Sequence, residues 1–272
     1  MRNNLIYDIR TQESARRTLE LFTGIAWQEW VNNSNRIVDF EYEDFFISTM
    51  LVEHDIVLPQ FGDITFVFSH ITTSGNGCKS IAKHGLYDLV NSYKCVDSDM
   101  RKFLSNHGVY IDIMKKEIKH RGKTIDISYN PYVHIPYYDT EAYYASRIGR
   151  KIYYDFTICG FLHIDCNRPY GGEVHFVPEI ISDIDNLLKG GLCDAWLQET
   201  RAYEIVVKVN GNEIVIDAIQ GCEREQLIAY LLRAYYVACG DESETIVLLK
   251  NGVQITVNNI IEIKEFNDWY GK

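Results

Sequence analysis

A chain of 272 residues can bury one large core, or one core with a smaller helical appendage, and is too short for two equal domains. Hydrophobic residues at 46% and charged residues at 24% match an ordinary globular protein, and no apolar run approaches the length of a bilayer span. The net charge of -11 argues against a broad electrostatic grip on nucleic acid, and the opening MRNNLIYDIRTQ lacks the apolar core of a secretion signal, so a cytoplasmic location without a membrane is expected.

In chain order, residues 11 to 31 begin with a polar cap before Glu13, and Leu19, Phe22, Ile25, Trp27 and Trp30 follow a helical stripe. Val38 to Val57 predicts a second helix. Pro59 and Gly62 then punctuate the chain before an apolar strand over Ile64 to Phe68. That strand delivers His70 and Thr72 to the turn SGNGCKS, and a short helix follows that stops at His84-Gly85-Leu86. Ser98 caps a helix to His107, and two strands are expected around a hairpin at Arg121-Gly122.

Tyr129 to Tyr138 holds two prolines and reads as a loop, before a helix over Glu141 to Ile152 and a strand over Phe156 to Ile164. Pro178 suits the start of a helix over Glu179 to Leu188, and Trp196 to Tyr203 reads as a loop. Near the end, strands Tyr203 to Val209 and Glu213 to Ile216 are expected to meet in a hairpin at Asn210-Gly211. An amphipathic helix over Glu223 to Ala238 precedes strands Thr245 to Leu249, Val253 to Val257 and Ile260 to Ile263. This alternation predicts an α+β fold, mixed and mainly antiparallel.

Several residue groups invite a chemical reading. Seven scattered cysteines without a CxxC pair read as free thiols. His163 and Cys166, with Cys159 and His175 nearby, are the nearest approach to a metal cluster, but strand alternation puts neighbours on opposite faces and no metal is expected. Lys115, Lys116, Lys119, His120, Arg121 and Lys123 form the one dense basic stretch, which fits a solvated hairpin or helix face. SGNGCKS is not a phosphate loop, because Cys78 precedes Lys79 where glycine is required and Ser74 fills the other glycine position. His84 fits a helix end, where its charge suits the dipole. His70 and Thr72, two apart on a strand, share a face and could hydrogen-bond a ribose diol.

The run of apolar strand, His70, Thr72, small polar turn and His84-Gly85-Leu86 resembles the first motif of histidine-type ADP-ribosyltransferases, especially the DarT-like toxins. The resemblance implies an ADP-ribosyltransferase-like split sheet over 61–272, with residues 1–60 as a helical N-terminal addition. It implies NAD as substrate, with His70 at the adenosine-side ribose, the backbone of Ile71 near the nicotinamide amide and Thr72 in support. GDESETIVLLKNGVQITVNNIIEI resembles the family's late catalytic segment and would make Glu244 the catalytic glutamate, with Glu242 two residues before it; Glu204, which also opens a strand, is the alternative. Tyr153, Tyr154 and Tyr170 are candidates to stack on nicotinamide. The implied activity is ADP-ribosylation of a macromolecule, nucleic acid or protein, by a toxin or phage-defence effector with a neutralising antitoxin as partner. The alternative is a catalytically inactive nucleotide- or partner-binding module of the same fold.

Overall fold

The computed structural model describes residues 5–39, 44–130, 132, 137–164, 175–215 and 222–266. It begins with β1 (Leu5–Tyr7), α1 (Gln12–Thr23), α2 (Trp27–Asn32), a 3-10 turn (Ser34–Asp39) and α3 (Asp44–Glu53). Then come β2 (Ile64–Ser74), α4 (Lys79–His84), α5 (Leu89–Lys94), α6 (Asp99–Asn106), and the short strands β3 (Val109–Asp112), β4 (Glu117–His120) and β5 (Lys123–Asp126). The later elements are α7 (Glu141–Tyr154), β6 (Cys159–His163), α8 (Glu179–Leu188), α9 (Leu192–Glu199), β7 (Arg201–Asn210), α10 (Glu223–Cys239), β8 (Thr245–Leu248) and β9 (Ile260–Glu265). The fold is mixed α+β with antiparallel sheets, and β1 alone is seen to join its neighbour in parallel. No helix among the described residues is long and apolar enough to cross a membrane.

Local chemistry explains most boundaries. Thr11 and Ser14 close a reciprocal capping box at the start of α1, and Ser98, Asp88 and Thr140 cap α6, α5 and α7 with their side-chain oxygens. The single helix expected over residues 11–31 is two, because Gly24 adopts a left-handed φ of 68° and ends α1. The strand expected to end at Phe68 continues to Ser74, so His70 and Thr72 lie within it.

The chain divides into two compact units. The first comprises Met1–His70, Cys159–Asn167 and Val206–Lys250. In it β8 pairs with β6, β6 pairs with β2 through Ser69 and Phe161, and β1 lies parallel to β2 from Leu5 opposite Ile64 to Tyr7 opposite Phe66. Helices α1 and α3 both pack on α10. The core between sheet and helices is aromatic: the Phe66 ring is 4.9 Å from Tyr7 and 5.2 Å from Tyr230, and the Tyr7 hydroxyl donates to the Tyr230 carbonyl at 2.7 Å. Burial of that hydroxyl pushes its pKa well above the usual tyrosine value.

The second unit comprises Ile71–Ile158, Arg168–Ile205 and Asn251–Lys272. Its three-stranded sheet runs β3-β4-β5, and the expected turn at Arg121-Gly122 joins β4 to β5, both residues having positive φ. The basic stretch is therefore spread over a meander, with Lys115 and Lys116 in the turn before β4, Lys119 and His120 on it, Arg121 in the turn after it and Lys123 on β5; Lys119 lies 3.6 Å from Glu117 and 3.8 Å from Asp112. Ile111, Ile118 and Ile125 of the three strands share a core with Ile148 of α7, Ile181 and Ile184 of α8 and Trp196 of α9. Arg147 donates to Asp183 at 2.7 Å, and burial raises the pKa of that carboxyl despite the pairing.

Three expectations are corrected. Asn210-Gly211 is not a hairpin: Asn210 caps a 3-10 turn at Gly211–Glu213, and Ile214 then bridges Leu249. Gly211 is there because a Cβ would lie 2.3 Å from the Phe61 carbonyl oxygen. Val253 to Val257 is not a strand but an isolated bridge of Ile255 to Leu86 leading to a 3-10 turn at Val257–Asn259. Trp196 belongs to helix α9 and not to a loop, its ring filling the core of the second unit.

Candidate functional site

Strand β2 continues an apolar run, Phe66 to Phe68, with polar residues of which His70, Thr73 and Ser74 have hydrogen-bond partners. In the first unit His70 is half-buried, with Nδ1 2.8 Å from the Cys159 carbonyl. Burial lowers its pKa below the usual histidine value, outweighing the hydrogen bond to Cys159, which acts the other way. A carbonyl only accepts, so in the neutral ring Nδ1 carries the proton and Nε2 keeps its lone pair. The free nitrogen can thus accept a hydrogen bond from a hydroxyl group.

Glu244 also lies in the first unit, half-buried just before β8, and Glu242 is exposed. Arg233 of α10 clamps this loop, donating to Asp241, to the Ser243 carbonyl and to the Thr245 hydroxyl. Burial raises the Asp241 pKa, but hydrogen bonds from Ser243 and Arg233 more than offset it and hold the carboxyl at about 2. The strand register keeps Glu244 away from His70. Cys159, which meets His70, pairs with Leu248, whereas Thr245, next to Glu244, pairs with His163 at the other end of β6. The two are offset by about 13 Å along the strands and by two strand spacings of about 4.8 Å each across them.

In the second unit Ile71 is buried and Thr72 half-buried, while Thr73 accepts the indole N–H of Trp196 at 2.8 Å. The following turn is closed by side chains: Ser74 accepts from the Cys78 and Asn76 amides, Asn76 from the Lys79 amide, and Asp99 from the Gly75 amide. These amides are thus held by side chains of the turn and by Asp99 of α6. Cys78 sits there at φ 57°, its thiol pushed up to about 12 by burial. It is therefore a structural thiol.

Glu204 stands on β7, the sheet neighbour of β2, and is only 8% exposed. Its Oε2 lies 2.9 Å from Nζ of Lys264 on β9. The Phe266 amide donates to the Ala202 carbonyl at 2.8 Å, and this bond taken with the Lys264–Glu204 contact fits an antiparallel pairing with Ala202 opposite Phe266 and Glu204 opposite Lys264. Sequence pattern gave Glu204 as the alternative carboxylate; Lys264 went unnoticed, because its only sequence signal is a lone cation in IIEIKE.

The remaining candidates scatter. The Tyr153 hydroxyl donates to the Ile113 carbonyl at 2.9 Å and its ring lies under the Lys116 ammonium, while Tyr154 is exposed against Tyr129. Tyr170 and Cys166 lie outside the described residues. His84 ends α4 with Nε2 3.1 Å from Asp97, whose carboxyl Lys83 and His84 together hold at about 2. His163 gives Nδ1 to the Ile9 carbonyl at 3.1 Å. Among the described residues no three His, Cys, Asp or Glu side chains come together as a metal-binding group. In comparison with known proteins, the chain matches no family model, no curated protein and no solved structure.

Proposed function

We propose that the protein is an ADP-ribosyltransferase that takes NAD as substrate and transfers ADP-ribose to a macromolecule, nucleic acid or protein, as a cytoplasmic toxin or phage-defence effector. In this reading the fold is of the ADP-ribosyltransferase type and Glu204 is the catalytic carboxylate. Ile71 and Thr72, in the same unit, help hold NAD. The observation that carries the reading is Glu204 itself, a nearly buried carboxylate on the strand beside β2, in the unit that contains Ile71 and Thr72. The motif from Phe66 to Leu86 supports it, with its strand, closed turn and helix ending at Gly85.

The chemistry requires one fixed anion. As the glycosidic bond breaks, nicotinamide leaves with the bonding electrons and positive charge spreads over the ribose C1 and ring oxygen. A carboxylate held against the ribose stabilises that charge, and it can take the proton the acceptor loses on attacking C1. Glu204 is taken as the carboxylate because it stands on the strand beside β2 and in the unit of Ile71 and Thr72, with Glu244 as the alternative.

A second reading, an inactive nucleotide- or partner-binding module, is favoured by one observation: Lys264 already holds Glu204. Incubation with labelled NAD, with and without cell extract, separates the two by measuring nicotinamide release and label transfer. Glu204→Gln is expected to lower release by about a hundredfold, the loss typical of removing a key electrostatic group, and Glu244→Gln to leave it nearly unchanged. No release or transfer by the wild type would overturn the enzymatic reading. Loss in Glu244→Gln alone would move the carboxylate to Glu244.

A further inference from the structure

We propose that the outer edge of β9 pairs with the same strand of a second copy of this chain, antiparallel and centred on Ile263. The inference is independent of NAD chemistry. Strand β9 is the last in its sheet, after β7, and among the described residues no strand covers its outer side. Its sequence, Ile260 to Glu265, is half isoleucine, and Ile261 is 53% exposed. The other half is charged, so an edge left open by the described residues is a template only for a strand that answers those charges.

The partner is selected by hydrogen-bond phase and charge together. The Phe266 amide bonds inward to Ala202, so in an antiparallel ladder the main-chain groups of Phe266 and Lys264 face β7, and those of Ile261, Ile263 and Glu265 face outward. A second strand must therefore form its hydrogen-bonded pairs with these odd-numbered residues. For a copy of β9 three registers satisfy that phase near the strand centre. One places Glu262 opposite Glu262, and another places Lys264 opposite Lys264. The third, with Ile263 opposite Ile263, places Glu262 opposite Lys264 twice over. Like charges directly opposed are unfavourable and opposite charges favourable, so only this register suits the sequence. Lys264 would then lie between Glu204 of its own chain and Glu262 of the second copy.

Sedimentation velocity over a range of protein concentrations tests the proposal. The full chain should show a concentration-dependent dimer. Ile263→Pro removes an outward amide and no bond to β7, so it should abolish the dimer while the melting temperature stays close to wild type. Glu262→Lys sets lysines against each other, and Lys264→Glu sets glutamates against each other. Each alone should raise the dimer Kd about tenfold. Mixing these two variants restores both opposite-charge pairs, and a heterodimer should form with near wild-type affinity. A wild type that stays monomeric at high micromolar concentration, a dimer that survives Ile263→Pro, or a mixture no better than its components would overturn the proposal.

Discussion

Trp196 donates its indole N–H to the hydroxyl of Thr73 at 2.8 Å, both side chains being buried in the second unit. The bond ties α9 to the end of β2 where the polar turn begins. Trp196→Phe keeps most of the ring volume but leaves the Thr73 hydroxyl without that donor. It is expected to cost about 1 to 3 kcal/mol in urea unfolding, and Trp196→Phe with Thr73→Val should recover part of the loss.

The pairing of Glu204 with Lys264 gives a second prediction. Lys264→Met removes the cation beside a carboxylate whose side chain is 11% exposed, whereas the lysine is itself about half exposed at 49%. Solvent screening at the lysine end limits the cost to about 1 to 2 kcal/mol, below that of breaking a fully buried pair. Lys264→Arg should restore most of it. Chemical denaturation of the three proteins measures the difference.

Stability should fall as the solution is acidified from neutral pH. Burial depresses the folded-state pKa of both His70 and His163, so in this range the unfolded chain binds more protons than the native one. Their stabilising contribution is complete above the unfolded histidine pKa of about 6.5 and is lost as pH drops through it towards the folded values. Unfolding free energies at pH 7.5 and 5.5 should show the drop, and His70→Asn should lessen it. An NMR titration of the His70 ring that gave an unshifted or raised pKa would contradict the burial argument.

Gly160 on β6 lies under the Phe68 ring, where an added Cβ would come 2.2 Å from a ring carbon. Gly160→Ala must push the ring off β2 or part the strands, and should cost about 3 kcal/mol, at the upper end of overpacking penalties. The thermal melting point reports the loss. Gly122→Ala is a useful contrast, since its Cβ would meet nothing within 4 Å and only the left-handed φ of 79° is strained.

What the sequence revealed followed from how local the signal was. Ser98 before α6, Pro178 before α8 and Gly85 after α4 mark helix ends through short-range chemistry, and those ends fall where expected. Asn210-Gly211 misled because the dipeptide favours a two-residue hairpin, whereas tertiary contacts of Gly211 with Phe61 and of Asn210 with Gly62 decide the turn. Helix α9 was hidden because Leu192 and Trp196 are spaced helically but the segment is only eight residues long. The distance between His70 and Glu244 could not be read at all, since it depends on the register of β6 against β8. The same limit hid Lys264, which acquires meaning only through its place opposite Glu204.

Each compact unit is assembled from three separated stretches of chain, and β2 and β7 each begin in one unit and end in the other. Neither unit can be cut out as one uninterrupted fragment, and deleting the first sixty residues would strip α1 and α3 from α10. Synthesis meets the same constraint. On the ribosome β2 emerges with its eventual neighbours β6 and β7 still untranslated, so its apolar run must wait for segments about 90 and 140 residues downstream. The sheet around Phe66 to Phe68 is therefore completed only late in synthesis.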